Sequence, residues 1–127
     1  MNLLTAALPT PLELLIQLAS QQIRILRPEE VLAEIEQYRD LIPLLPLLCT
    51  RAQQEFGAES EFILQIYHDP EIVDHYLCLL IRVPVYDDQT MNRIDRVCEP
   101  YEKELSEASG ELYLTTDFRQ PGDRYGF

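Results

Sequence analysis

The chain has 127 residues, the size of one ordinary domain and too short for two. With 46% hydrophobic and 25% charged residues it has enough apolar surface to bury a core of its own, and no disulfide or metal staple is needed. Ten basic against 22 acidic residues give a net charge of −12, which repels a phosphate backbone and an anionic membrane surface and favours a basic protein as any charged partner.

Residues 1–9 form an apolar leader carrying Leu3, Leu4 and Leu8. It lacks a positive n-region and is too short an apolar run for a signal peptide, so the expected compartment is the cytoplasm. Thr10-Pro11-Leu12-Glu13 reads as a capping box with proline at the first helical position, and it predicts a helix over 11–22. Leu12, Leu14, Leu15, Ile16 and Leu18 wrap much of its circumference. Residues 22–26 alternate and fit either the end of this helix or a short strand.

Pro28-Glu29-Glu30 starts a second helix, with Val31, Leu32, Ile35 and Tyr38 facing inward and Glu30, Glu34, Glu36 and Arg39 facing out. Pro43 and Pro46 fit only a turn or a first helical turn. A third helix then runs to Phe56, where Gly57 supplies a left-handed stop.

The hydrophobic period changes in the second half. Residues 62–67 and 76–83 read as strands of an antiparallel hairpin, the second with five consecutive apolar residues expected at the centre of a sheet. Asp87 or Asp88 caps a helix built on Met91, Ile94, Cys98, Tyr101 and Leu105, which Pro100 should divide and Gly110 end. Residues 112–118 form the last strand, and 120–127 a loose tail. The expected fold is one α+β domain in the order α-α-α-β-β-α-β, with helices on one face of a small antiparallel sheet. If 23–26 is a strand, the order becomes the ferredoxin-like βαββαβ.

Four stretches resemble a recurrent group of small uncharacterised bacterial proteins over residues 41–118: Asp40-Leu41-Ile42-Pro43-Leu44-Leu45, Glu55-Phe56-Gly57-Ala58-Glu59, His68-Asp69-Pro70-Glu71 and Leu80-Ile81-Arg82. Members of that group carry an aromatic pair in the last helix, where this chain has Glu99-Pro100-Tyr101. The resemblance implies no activity, cofactor or catalytic residue.

Few residues combine into chemistry. Both histidines, His68 and His75, lie in one loop with Asp69, Glu71 and Asp74. These donor types suit zinc or another divalent ion, but their spacing matches no compact ligand motif and also fits a polar hairpin turn. Cys78 lies three residues from His75, so on a strand the two point to opposite faces, which argues against a thiol–imidazole dyad. Cys49, Cys78 and Cys98, odd in number and set among apolar residues, predict buried reduced thiols. The carboxylate pairs Asp87-Asp88, Glu29-Glu30 and Glu102 with Glu104 fall at helix starts or exposed faces, where capping and solvation explain them. No glycine-rich phosphate loop or serine elbow is present.

The apolar excess around Leu12, Leu15 and Ile16 is the strongest functional signal, because uncovered apolar surface marks an interface. The chain therefore reads as a non-enzymatic interaction module without a cofactor, pairing as a homodimer or neutralising a basic protein in an antitoxin-like or immunity-like role. The alternative is a small metal-dependent enzyme using His68, Asp74 and His75. Neither nucleic acid nor a membrane is an expected partner.

Overall fold

The computed structural model describes residues 8–68, 70, 71 and 74–123. In chain order its elements are α1 (Pro11–Ser20), β1 (Ile23–Ile25), α2 (Pro28–Gln37), a 3-10 turn (Arg39–Leu41), α3 (Leu44–Phe56), β2 (Glu61–His68), β3 (His75–Arg82), α4 (Thr90–Cys98), a second 3-10 turn (Glu99–Tyr101), α5 (Glu102–Glu107) and β4 (Leu112–Thr115). The fold is α+β, as the sequence predicts. Among the described residues no helix is long and apolar enough to cross a membrane.

Local chemistry sets the helix ends. Glu13 N–H donates to Thr10 Oγ1 at 3.1 Å while Thr10 N–H donates to Glu13 Oε1 at 2.9 Å, so the capping box is complete. Gly57 closes α3 at φ 80°, a value that strains any residue with a Cβ. Pro100 divides the later helix through the second 3-10 turn. The cap of α4 differs from expectation. The helix begins after Gln89, and Asp87 Oδ1 instead accepts the Gln89 N–H and the Thr90 hydroxyl, closing a turn ahead of it. Gly110 is needed for packing, since a Cβ there would stand 2.7 Å from Tyr38 Cβ.

The sheet runs β1-β2-β3-β4. Its middle pair is the expected antiparallel hairpin, with Phe62 opposite Ile81 and Leu64 opposite Leu79. The outer pairs β1–β2 and β3–β4 are parallel, so the wholly antiparallel expectation is corrected to a mixed sheet. The reason lies in the connections. The link from β2 to β3 is too short for a crossover, whereas α2–α3 and α4–α5 return the chain to the same end before the next strand begins. Residues 23–25 do form a strand, which gives the βαββαβ run. The parallel partners lie side by side, however, and not astride another strand as in the ferredoxin-like arrangement. Both crossovers advance the same way across the sheet while their strands point oppositely, and both put helices on one face. They therefore have opposite hands, and one is of the rare left-handed kind.

Side chains divide strictly by face. Phe62, Leu64, Ile66, Leu77, Leu79, Ile81 and Leu112 share one core with Leu14, Leu18, Ile35, Leu48 and Ile94 of the helices, and Leu105 and Leu114 pack against it half-buried. The other face carries a separate buried cluster of Ile63, Cys78 and Leu80, which includes no helix residue. Ile81→Ala should cost about 2–5 kcal/mol, measured by urea unfolding. A loss under about half a kcal/mol would put Ile81 outside the core.

Arg82, at the end of β3, is fully buried on the second face. Its Nη2 donates to Asp117 Oδ2 at 2.8 Å and its Nε to Asp117 Oδ1 at 3.2 Å. Nη1 donates to the Asp123 carbonyl at 2.6 Å and lies 3.4 Å from Glu61 Oε1, which also accepts the Gly122 N–H at 3.0 Å. The segment expected to be loose is thus fastened as far as Asp123, because a buried guanidinium must find acceptors and this segment supplies them. Residues 124–127 and the leader residues 1–7 lie outside the described ones.

Burial raises the Asp117 carboxyl, but hydrogen bonds from Arg82 and the Arg119 N–H, with both guanidinium charges, outweigh it and hold its pKa below the usual value. A depressed folded pKa contributes stability in full above the unfolded carboxylate range and loses it as pH falls toward the folded value. Asp117→Asn should destabilise the protein by about 3 kcal/mol at neutral pH, since it leaves a buried cation short of its main counter-ion. The variant should also lose part of the wild-type drop in stability below about pH 4. Superimposable stability–pH curves for the two proteins would remove Asp117 from this role.

Candidate functional site

Strand register decides where the histidines go. His68 and His75 are opposite one another at the last pair of the hairpin, on the core face, with ring centroids 5.9 Å apart. The same face is covered by α2. There Glu30 and Glu34, one helical turn apart, point at the two rings. His75 Nε2 lies 3.1 Å from Glu34 Oε1, and His68 Nε2 lies 3.5 Å from Glu30 Oε2. A cavity of about 230 Å³ sits among these four side chains, with Ala33 of α2 leaving it room.

This grouping revises the loop reading in two ways. Glu34, expected on the solvent side of α2, is only 5% exposed, because the hairpin end covers it and His75 meets its carboxylate. Asp74 does not join the histidines; its Oδ1 accepts the His75 N–H at 2.8 Å. Asp69 is outside the described residues, and Glu71 is exposed. Among the described residues no three His, Cys, Asp or Glu side chains converge as a metal-holding group. Glu30 and Glu34 escaped the sequence reading because the Glu34–His75 contact spans 41 residues. The one available signal was the four-residue spacing of two glutamates on a helix.

The predicted interface residues separate. Leu12 and Ile16 are 56% and 62% exposed, and Leu8, ahead of the helix, is 49% exposed. Leu15 is buried in the core with Leu14 and Leu18, so it faces this chain and no partner. Leu12 and Ile16, four residues apart, form an aliphatic stripe along the outer side of α1, and Leu8 lies just ahead of the helix. Glu13 is the only charged residue of that helix, and its carboxylate is held in the capping box.

The second face of the sheet carries Tyr67, Tyr76 and Tyr113. Tyr67 stacks on Tyr76 at 5.1 Å between centroids, and Tyr113 meets Tyr76 edge-on at 4.6 Å. Cys78 belongs to that face while His75 belongs to the other, so the two form no dyad. Burial pushes the Cys49 and Cys78 thiols up to about 12, and it also raises Cys98, helped by Asp95 and Glu102. None is a nucleophile at neutral pH.

A cavity of about 820 Å³ opens where α1 and α3 end beside β1 and β2, lined in part by Arg24, Gln53, Ser60 and Glu61. Gln53 Nε2 donates to the Gln21 carbonyl, Ser60 Oγ to the Phe56 carbonyl, and Arg24 lies 3.9 Å from Glu61. No histidine or cysteine is among its lining residues. Compared with protein-family models, with curated proteins and with solved structures, the chain matches none.

Proposed function

We propose that this protein is a small acidic interaction module that acts by pairing with a second copy through the outer side of α1. The observation that carries the reading is the exposed stripe of Leu12 and Ile16, with Leu8 just ahead of it. Two copies at −12 repel one another over most of their surface, and over roughly 8 Å at physiological salt. Pairing favours the stretch poorest in acid, and α1 offers aliphatic side chains with one carboxylate already engaged. A twofold axis would set the stripe against itself, the commonest way for identical chains to associate. The buried Cys49 and Cys78 thiols, raised to about 12, support a non-catalytic role for them. The acidity supports a basic protein as any second partner, in the manner of an antitoxin or immunity protein acting in the cytoplasm.

Sedimentation velocity of the full chain at tens of micromolar should show a dimer, and Leu12→Glu with Ile16→Glu should leave a folded monomer. Leu15→Ala should instead lose about 2–5 kcal/mol of folding stability, because that side chain packs inward. A monomeric wild type, or a dimer that survives the paired glutamates, contradicts the proposal.

Nucleic acid is a second case to test, because three clustered tyrosines on an open sheet face resemble the stacking surfaces that bind single strands. Such surfaces work with basic residues beside them, and this chain has a large acidic excess. Fluorescence anisotropy with labelled single-stranded DNA and RNA at physiological salt should detect no complex. Salt-sensitive micromolar binding would reverse that expectation.

A further inference from the structure

We propose that the groove between β4 and the α4–α5 pair takes an extended, basic segment of a partner protein, which joins the sheet as an added strand beside β4. The sheet order leaves β4 at an edge, paired only with β3 among the described residues. In a parallel pair, alternate residues of a strand bond to the same neighbour. The Leu77 N–H donates to the Glu111 carbonyl at 3.1 Å, so Glu111, Tyr113 and Thr115 turn their backbone groups toward β3. The N–H and C=O groups of Leu112 and Leu114 therefore point outward, where an added strand would meet them. β4 reads Leu-Tyr-Leu-Thr, with neither the lysine nor the proline that blocks pairing at an edge.

The groove beside this edge has a volume of about 590 Å³, a space that suits a short extended segment. Its apolar wall includes Leu105, Leu112 and Leu114. Its charges are Asp95 on α4, Glu102 on α5 and Glu111 just ahead of β4, and no basic residue lines it. These three acids are exposed, and none is ion-paired among the described residues, whereas Glu55 and Asp117 each hold an arginine. Successive side chains of a strand point to opposite faces, so every second residue of the guest would face the helices and bring a cation to the carboxylates. The others would lie beside Tyr113, 49% exposed on the second face, where an arginine stacks well. A second copy fits poorly, since pairing two β4 edges would set the acids of one groove near those of the other. The site gives the basic partner of the proposed function its docking place and rests on that part of it. It does not rest on pairing through α1, which packs beside β1 at the opposite edge of the sheet.

The test titrates the full-length protein with a capped peptide of alternating lysine and valine, by calorimetry and by amide hydrogen exchange in NMR. A glutamate–valine peptide and two lysine–valine peptides, N-methylated at one or the other set of alternate residues, serve as controls. The lysine peptide should bind, more weakly as salt rises, and the glutamate peptide should not. Binding should slow exchange at Leu112 and Leu114 by about tenfold or more and leave Tyr113 and Thr115, already bonded to β3, little changed. One methylated peptide should fail to bind although its charge is unchanged, because it has lost the donors that face β4. Asp95→Asn, Glu102→Gln and Glu111→Gln together, all at exposed positions, should weaken binding about tenfold. Leu12→Glu with Ile16→Glu should bind as the wild type does, which separates this site from α1 pairing. No slowing at Leu112 and Leu114 at millimolar peptide overturns the proposal, as does equal binding by both methylated peptides, which leaves a basic partner held by charge alone. Undiminished affinity in the triple variant, or binding of the glutamate peptide, overturns the acidic groove as its basis. Protection of both amides already present in the free protein also overturns it, because the edge is then filled by a second copy or by this chain itself.

Discussion

A guanidinium taken wholly out of water organises the second face of this protein. Arg82 ends β3 at a position where the sheet's alternation turns it away from the helices, and among the described residues no helix contributes to the buried cluster on that side. The charge persists there because Asp117, Glu61 and the Asp123 carbonyl surround it. Satisfying it requires the chain beyond β4 to turn back over the sheet. That turn runs through Phe118 at φ 64°, a left-handed conformation that costs about 1–2 kcal/mol in a residue with a side chain. Thr116 Oγ1 and Asp117 Oδ1 accept the N–H groups of Phe118 and Arg119 and hold the turn in place. Phe118 in turn meets Tyr86 edge-on at 4.8 Å.

Once the second face is closed at that end by polar chemistry, its other end is left to Tyr67, Tyr76 and Tyr113, while the helix side is closed by aliphatic packing. The two sides of the sheet thus solve burial differently. On the helix side large side chains from four helices interdigitate with the strands, and charge enters only at the margins. Arg93 ties α4 to α3 through Glu55 Oε2 at 2.8 Å and the Glu55 carbonyl at 2.7 Å, while its guanidinium lies over the Phe56 ring at 4.5 Å. Asp40 accepts the Ser109 N–H at 2.7 Å and fixes the approach to β4.

Two further features sit apart from these supports. The α1 stripe follows from a helix with more aliphatic side chains than one core face can take: Leu14, Leu15 and Leu18 fill that face, and Leu12 and Ile16 are left outside. The histidine–glutamate group lies at the opposite limit of polarity, where the sheet runs out of apolar residues but α2 still covers it.

The sequence alone determined what depends on neighbours along the chain. The Thr10–Glu13 box, the stop at Gly57, the division at Pro100, the hairpin and nearly all of the strand core were legible, because each is a contact over a few residues or a period of two or near four. Tertiary structure decided what depends on residues far apart. A three-residue β1 has too little pattern to declare itself and exists because it pairs with β2. The parallel outer pairs follow from which end of the sheet each helix pair returns to. Glu34 reads as an exposed helix acid until a hairpin end lies over it, and Arg82 reads as the polar close of a strand until Asp117, 35 residues later, reaches it. Gly110 reads as a helix stop until Tyr38 is found against it. In each case the deciding contact joins residues that nothing in the local sequence connects, and only the packed chain brings them within reach.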